Sequence, residues 1–192
     1  MPVDPSQAFA IIWIAWLLSW MAAALWSGRT QKRATTAAVP VYRTAILAGA
    51  ILLTPWAART TTERQLWDVG DAGGYALAGL TLAGILFTWW ARLHLGRLWS
   101  SAITRKEDHR VVDTGPYALV RHPIYTGLIA AILATTAAEG TATALAGAAL
   151  VTFGLWLKAR TEERFLIGEL GPDAYGAYCR RVPMLVPFLR RP

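Results

Sequence analysis

The chain has 192 residues, 55% of them hydrophobic and 16% charged, with ten Trp and a formal net charge of +7. So apolar a composition excludes an ordinary soluble domain of this length. The positive charge does not indicate a nucleic-acid partner, because it sits in clusters between apolar runs with no aromatic-basic stripe among them.

Asp4 stands where a leader peptide carries its basic region, and no A-x-A site ends the first apolar run in a polar context, so no cleavable signal is expected. Ala8–Trp26 is uncharged over about nineteen residues, close to what a bilayer crossing needs. Trp13, Trp16 and Trp20 recur there at helical spacing. They make an aromatic face, in the first instance for lipid or a partner helix and in the second for a ligand. Ser27–Arg43 is a basic loop. Thr44–Ala58, ending at Pro55-Trp56, is a shorter apolar run. It is long enough to cross if Val39–Tyr42 is added and Arg43 snorkels. Arg59–Gly73 is polar. Gly74–Ala91 is the third run and ends at the interfacial pair Trp89-Trp90. A polar connection runs from Arg92 to His122. Tyr125–Ala138 and Thr141–Leu157 are the fourth and fifth runs, joined by a turn at Glu139-Gly140.

The last two runs read as a tight hairpin. Thr126, Ala130, Ala134 and Ala138, and then Gly140, Ala144 and Ala148, repeat every four residues, and small residues at that spacing let helices approach closely in lipid. A helical pattern continues through Lys158–Leu170 and stops at Gly171-Pro172. Asp173 is placed to cap a short helix over Ala174–Arg181. Val182–Leu189, with prolines at 183 and 187, is too short to cross and lies in the interface or folds back. The single Cys179 excludes an internal disulfide and a cysteine zinc cluster, and reads as a buried or interfacial thiol.

These elements predict an all-α polytopic membrane protein, one domain over residues 1–192. It has about five transmembrane helices and short cytoplasmic C-terminal helices. Residues 1–91 hold three spans, and residues 92–192 the functional half. All Lys and Arg except Arg59 and Arg64 fall on one side. That side should be cytoplasmic, with the N-terminus outside and the C-terminus inside.

The chemistry concentrates in Asp113–Gly127, DTGPYALVRHPIYTG. Gly115-Pro116 is turn chemistry. His122 precedes a proline and is biased away from helix, while Pro123 suits the first helical position. A helix starting there points its positive end at Arg121 and His122, an anion site. The hairpin sets these residues opposite Arg160–Glu163. Two readings stay open: a salt bridge of Arg121 with Glu162 or Glu163 that locks the hairpin, or a pocket at the membrane surface. The three histidines, His94, His109 and His122, lack ligand spacing, so no metal is expected.

GPYALVRHPIYTG (Gly115–Gly127), the pair Glu162-Glu163, the Gly-x-x-x-Tyr…Tyr…Val-Pro tail (Gly171–Pro183) and LGRLWS (Leu95–Ser100) together resemble the isoprenylcysteine carboxyl methyltransferase family. The resemblance covers roughly Ala91 to Pro187; the first two spans carry no such motif. It implies S-adenosyl-L-methionine as cofactor, a lipophilic acceptor arriving from the bilayer, and an integral membrane enzyme of the bacterial inner membrane with its site facing the cytoplasm. Residue by residue, it assigns Tyr117, Arg121, His122, Pro123 and Tyr125 to the cofactor segment. Glu162 and Glu163 become the acidic pair, and Tyr178 and Arg181 the tail. A helix N-terminus and His122 suit the cofactor's carboxylate, and a glutamate its ammonium. Tyr125 or Trp99 can meet its sulfonium by cation–π contact worth about 1–2 kcal/mol. Arg121, Arg160 or Arg181 would clamp an acceptor carboxylate, with Arg121 and Glu163 indispensable to turnover. A phospholipid amine or a small amphiphile is an alternative acceptor. The tail AYCRRVPMLVP (Ala177–Pro187) with RHP also resembles NADPH-dependent membrane sterol reductases, and a non-catalytic membrane scaffold is the third reading.

Overall fold

A computed structural model describes residues 4–26, 30–33, 36–54, 65–100, 102–106 and 111–189. The five apolar runs are five helices: α1 (Pro5–Ala24), α2 (Ala38–Leu52), α3 (Gly70–Leu95), α5 (Pro123–Glu139) and α6 (Ala142–Leu170). A single turn of helix, α4 (Pro116–Leu119), precedes α5, and α7 (Ala174–Arg181) follows α6. The expectations placed on Ser27 to Arg29, on Pro55 to Arg64 and on His109 lie outside the described residues.

Local chemistry sets the ends. Asp4 accepts from Ser6 N, Gln7 reaches back to the Asp4 backbone, and Pro5 occupies the first turn of α1, a complete capping box. Gly140 closes α5 in the left-handed conformation, and the Thr141 hydroxyl accepts from Ala144 N to start α6. Gly171 ends α6 at a φ of 86°. The helix α7 has the expected bounds, but the Asp173 side chain makes no cap bond.

The molecule is an integral membrane protein. Among the described residues, three helices are long and apolar enough to cross a bilayer: α1, α3 with its continuation to Leu98, and α6. The helices α2 and α5 are apolar but have 15 and 17 residues. At ~1.5 Å per residue both fall short of a ~30 Å hydrocarbon core. One face of α1 presents Ile11, Ile14, Leu17, Leu18 and Met21 outward. Its tryptophans point inward instead: Trp13 Nε1 donates to Thr135 Oγ1 at 3.0 Å, and Trp20 packs edge-on against Trp89 and Trp99. The aromatic stripe is thus a bundle face.

Three features differ from the sequence expectation. The hairpin helices α5 and α6 pack less on each other than on α3 and α2 respectively. Glycines make those seams. A Cβ at Gly84 would strike Gly127 O and Ala131, and one at Gly49 would strike Gly147 O and Val151. The four-residue series through Ala130 points partly outward, Ala130 being exposed. Secondly, the polar connection starts later than Arg92. That residue lies inside α3 with no exposed surface, and its guanidinium donates to Ala23 O (2.8 Å), Trp26 O (2.9 Å) and Gly96 O (2.8 Å). It thereby ties the end of α3 to Ala23 O, which also accepts from Trp26 N, and to Trp26 O just beyond α1. Thirdly, the loops after α1 and α3 are joined by a two-stranded antiparallel ribbon, β1 (Thr30–Arg33) with β2 (Thr104–Lys106).

The tail folds back. Arg121 N and His122 N donate to Pro183 O and Met184 O at 2.9 and 3.1 Å, and Thr126 Oγ1 donates to Leu185 O at 2.7 Å.

Candidate functional site

The folded-back tail and the start of α5 define the floor of the site. Gly115, at φ 58°, opens α4, and Val120 returns to extended geometry. His122 then takes the N-cap position of α5, with Pro123 next and no side chain capping the helix start. The first N–H groups of α5 have no partner within the helix. They carry its positive dipole end beside the imidazole.

Arg121 is the most heavily bonded side chain here. Its Nε and Nη2 donate to Glu163 Oε1 (2.7 Å) and Oε2 (3.2 Å), a bidentate pair. Its Nη1 donates to Cys179 O at 2.6 Å and to Val182 O. The guanidinium therefore fastens α6 to the C-terminal end of α7, where a cation also complements the helix dipole. Burial disfavours the Arg121 charge, but the hydrogen bond and charge of Glu163 outweigh it and raise its pKa.

His122 lies between the two glutamates, Nε2 at 3.1 Å from Glu163 Oε1 and Nδ1 at 4.0 Å from Glu162 Oε2. Its ring stacks on Tyr125 at 5.3 Å and 4°, and Tyr125 donates to Glu162 Oε2 at 2.8 Å. Lys158 Nζ stands 5.1 Å from the Tyr125 ring centroid. Opposite, Tyr178 donates to Tyr117 O at 2.7 Å, docking α7 on α4. Burial raises the phenol pKa of Tyr117, with Glu162 adding to it, and raises that of Tyr178 against the opposing pull of Arg121.

These groups surround one cavity of about 270 Å³. Its polar end holds His122, Glu162 and the start of α5. Its aromatic side carries Trp99, Tyr117 and Tyr178. Its apolar wall is made by Trp16 and Trp20 of α1, Ile46 of α2, Leu128 of α5 and Leu155 of α6. Trp99, Tyr117, Arg121, His122, Pro123, Tyr125, Glu162 and Tyr178, all singled out in the sequence, line it. Glu163 stands behind His122 and Arg121, holding both.

Two of the expected residues sit elsewhere. The Arg160 guanidinium packs on the Trp156 ring at 5.2 Å. Arg181 pairs with Asp113 at 3.1 Å with its side chain 65% exposed. Neither is on the cavity wall. The aromatic rings nominated for a sulfonium are also engaged: Arg92 stands 4.4 Å over Trp99, and His122 stacks on Tyr125. Lys158, Trp16 and Trp20 line the cavity without having been assigned to the site, and Arg92 stands behind the wall, over Trp99. For Lys158 a signal existed, its i,i+4 spacing to Glu162, which places both on one helix face. For Arg92 there was none, because its partners are the backbone carbonyls of Ala23, Trp26 and Gly96.

Against known proteins, residues 77–168 match the Isoprenylcysteine carboxyl methyltransferase (ICMT) family, just under half of the chain. The matched segment holds α5, most of α3 and α6, and every cavity residue from Trp99 to Glu162. The chain is 37% identical over 98 residues to a cobalt-zinc-cadmium resistance protein of Cupriavidus metallidurans, covering 50% of this chain and 44% of that protein. It is 34% identical over 92 residues to the protein-S-isoprenylcysteine O-methyltransferase of Schizosaccharomyces pombe, covering 46% and 37%. It is 45% identical over 74 residues to methanethiol S-methyltransferase 1 of Bradyrhizobium diazoefficiens, covering 38% and 25%. The chain thus spans less than half the length of these curated relatives.

Proposed function

We propose, from the premise that residues 77–168 are a segment of the isoprenylcysteine carboxyl methyltransferase type, that this protein is an integral membrane methyltransferase. It uses S-adenosyl-L-methionine on a lipophilic acceptor, foremost a carboxylate. The observation that carries the reading is the single cavity that joins His122, Glu162 and the uncapped start of α5 to an apolar wall built by α1, α2, α5 and α6.

The residues present suit that cofactor. The free N–H groups of α5 and His122 would hold its carboxylate. Glu162, fixed by the Tyr125 hydroxyl, would take its ammonium. The aromatic side, with Tyr117 and Tyr178, offers faces for a purine ring. When bound, the cofactor supplies a methyl group on a positive sulfur; an acceptor lone pair forms the new bond to carbon while the carbon–sulfur pair returns to sulfur. A carboxylate acceptor is already ionised at neutral pH and needs no general base. The chain's own contribution is then alignment and exclusion of water, an effect of about 7–11 kcal/mol in well-oriented systems. The apolar wall of Trp16, Trp20 and Ile46 suits the hydrocarbon part of an acceptor entering between the spans. By the distribution of Lys and Arg the polar end faces the cytoplasm, of the inner membrane in a bacterial cell.

Thiol methylation is the second reading, favoured by the likeness to a protein named methanethiol S-methyltransferase. The test of the cofactor is thermal unfolding of the detergent-purified chain with S-adenosylhomocysteine, with NADPH and with neither. A ligand at a hundredfold over its dissociation constant adds about 2.7 kcal/mol. Stabilisation by S-adenosylhomocysteine alone is expected. Stabilisation by NADPH alone moves the reading to a reductase, and none by either to a scaffold.

A further inference from the structure

The tail changes character at Leu185. Up to that residue its backbone is bonded to the start of α5: Pro183 O, Met184 O and Leu185 O accept from Arg121 N, His122 N and Thr126 Oγ1. From Val186 on it turns outward. Val186, Phe188 and Leu189 are 55%, 89% and 68% exposed. Pro187 keeps the segment from continuing as helix, and a turn closes from Leu189 N to Val186 O at 3.3 Å. Phe188 sits in that turn with a φ of 65°, a left-handed conformation rare for a bulky aromatic residue. The backbone thus takes an unfavourable shape that leaves the ring outside the protein.

What lies outside follows from depth. The helix α5 has 17 residues, a rise of about 25 Å against a hydrocarbon core of ~30 Å. With Glu139 at one edge of the core, the first turn of α5 reaches no further than the opposite edge. The tail bonded to that turn lies at the same level, so Val186–Leu189 emerges at the boundary of hydrocarbon and head groups. A non-helical backbone cannot face lipid within the core itself, whereas an aromatic ring suits the boundary. The charge fits as well. After Asp173 the sequence holds four arginines, Arg180, Arg181, Arg190 and Arg191, and no acid. Arg181 pairs with Asp113, while Arg180 is exposed. Basic residues beside a membrane surface draw anionic lipid.

We infer that Val186–Leu189 is a hook seated in the head-group layer of the leaflet on the basic side, with anionic lipid as its partner. This surface lies outside the cavity and does not depend on what the cavity binds. The same stretch of tail forms the cavity floor through Arg121 N and His122 N, so seating the hook in the bilayer also braces that floor.

The experiment places a nitrobenzoxadiazole label on Phe188→Cys, in the full chain in nanodiscs of phosphatidylcholine and phosphatidylglycerol. Cys179→Ala removes the other thiol and keeps the Cys179 carbonyl that Arg121 uses. The same fluorophore on free cysteine is the aqueous reference. Relative to it, the label should be at least threefold less accessible to iodide. Lipid carrying a nitroxide at the head group should quench it at least twofold more than lipid carrying one deep in the acyl chain. Leaving out phosphatidylglycerol should raise iodide access at least twofold. A second label, on Leu189→Cys, repeats the reading. There Phe188→Gly should raise iodide access at least twofold, although it relieves the left-handed backbone. Iodide access equal to the reference overturns the hook. So does protection from iodide and from both nitroxides, the mark of a second copy or another protein seated on the segment. Strongest quenching by the deep nitroxide overturns the head-group level, and indifference to phosphatidylglycerol overturns the anionic partner.

Discussion

Arg121 and Glu163 form a bidentate pair with side-chain exposures of 12% and 13%. Removing one partner of such a pair strands the other charge, at a cost on the order of 3–5 kcal/mol when burial is complete. Arg121 also holds α7 through Cys179 O and Val182 O, so Arg121→Met should release α7 and abolish S-adenosylhomocysteine binding, not turnover alone. Limited proteolysis after residue 171 would show the release, and an α7 still protected would contradict it. Glu162→Gln keeps the Tyr125 hydrogen bond but removes the charge. Its expected effect is a tenfold or greater weakening of S-adenosylhomocysteine binding, measured by titration, with little change in melting temperature. The sequence made much of this site legible, because RHPxY and the glutamate pair flank one turn and one helix and so must meet. Arg160 was misplaced although the geometry was available. It lies two residues from both Lys158 and Glu162, which puts it on the other side of α6. Arg181 lies in the last turn of α7, and whether it faced the cavity depended on how α7 docks, which no local pattern states.

The apolar runs located the helices but not their ends. The helix α2 begins at Ala38, six residues before its run, and α3 continues past Arg92 to Leu95, because a charge that reaches backbone carbonyls or the interface does not stop a helix. Nor did the runs identify each helix's partners. Small residues recur on more than one face of α5 and α6, and the pattern alone cannot say which face meets which neighbour. The seams are Gly84 with Gly127 and Gly49 with Gly147, where a Cβ would meet backbone oxygen at under 3.0 Å. Gly127→Ala should therefore lower stability by roughly 1–3 kcal/mol through overpacking, while Ala130→Leu, on an exposed position, should be nearly neutral. Equal losses in thermal unfolding would refute this assignment of faces. The docking of α7 carries a pH dependence. Burial raises the Tyr178 pKa, and its hydroxyl must be protonated to donate to Tyr117 O. A raised folded pKa means the stabilisation is complete below the unfolded value of ~10 and is lost as pH rises beyond it. Tyr178→Phe should be less stable at neutral pH and show a shallower alkaline decline than the unmodified chain.

Taken whole, the cavity draws on both halves of the chain, with Leu128 and Leu155 of the family segment sharing the apolar wall. The segment matching the family supplies the polar and aromatic end, from Trp99 through His122 to Glu162. The first two helices, outside that segment, supply Trp16, Trp20 and Ile46 to the apolar end. The topology brings them there: α1 packs on α3, and α2 on α6. The sequence accordingly carried motifs for the polar and aromatic residues and none for Trp16, Trp20 and Ile46. The two ends should then respond separately to substitution. Trp16 is the best probe, because its Nε1 is buried without a hydrogen-bond partner among the described residues, so its removal breaks no hydrogen bond there. Trp16→Ala should enlarge the apolar end and shift preference toward longer or bulkier acceptors, read as a fall in KM for dodecanoate relative to octanoate. The S-adenosylhomocysteine dissociation constant should stay within about twofold. If donor binding fell in step with acceptor preference, the cavity would have to be treated as one coupled site rather than two separable ends.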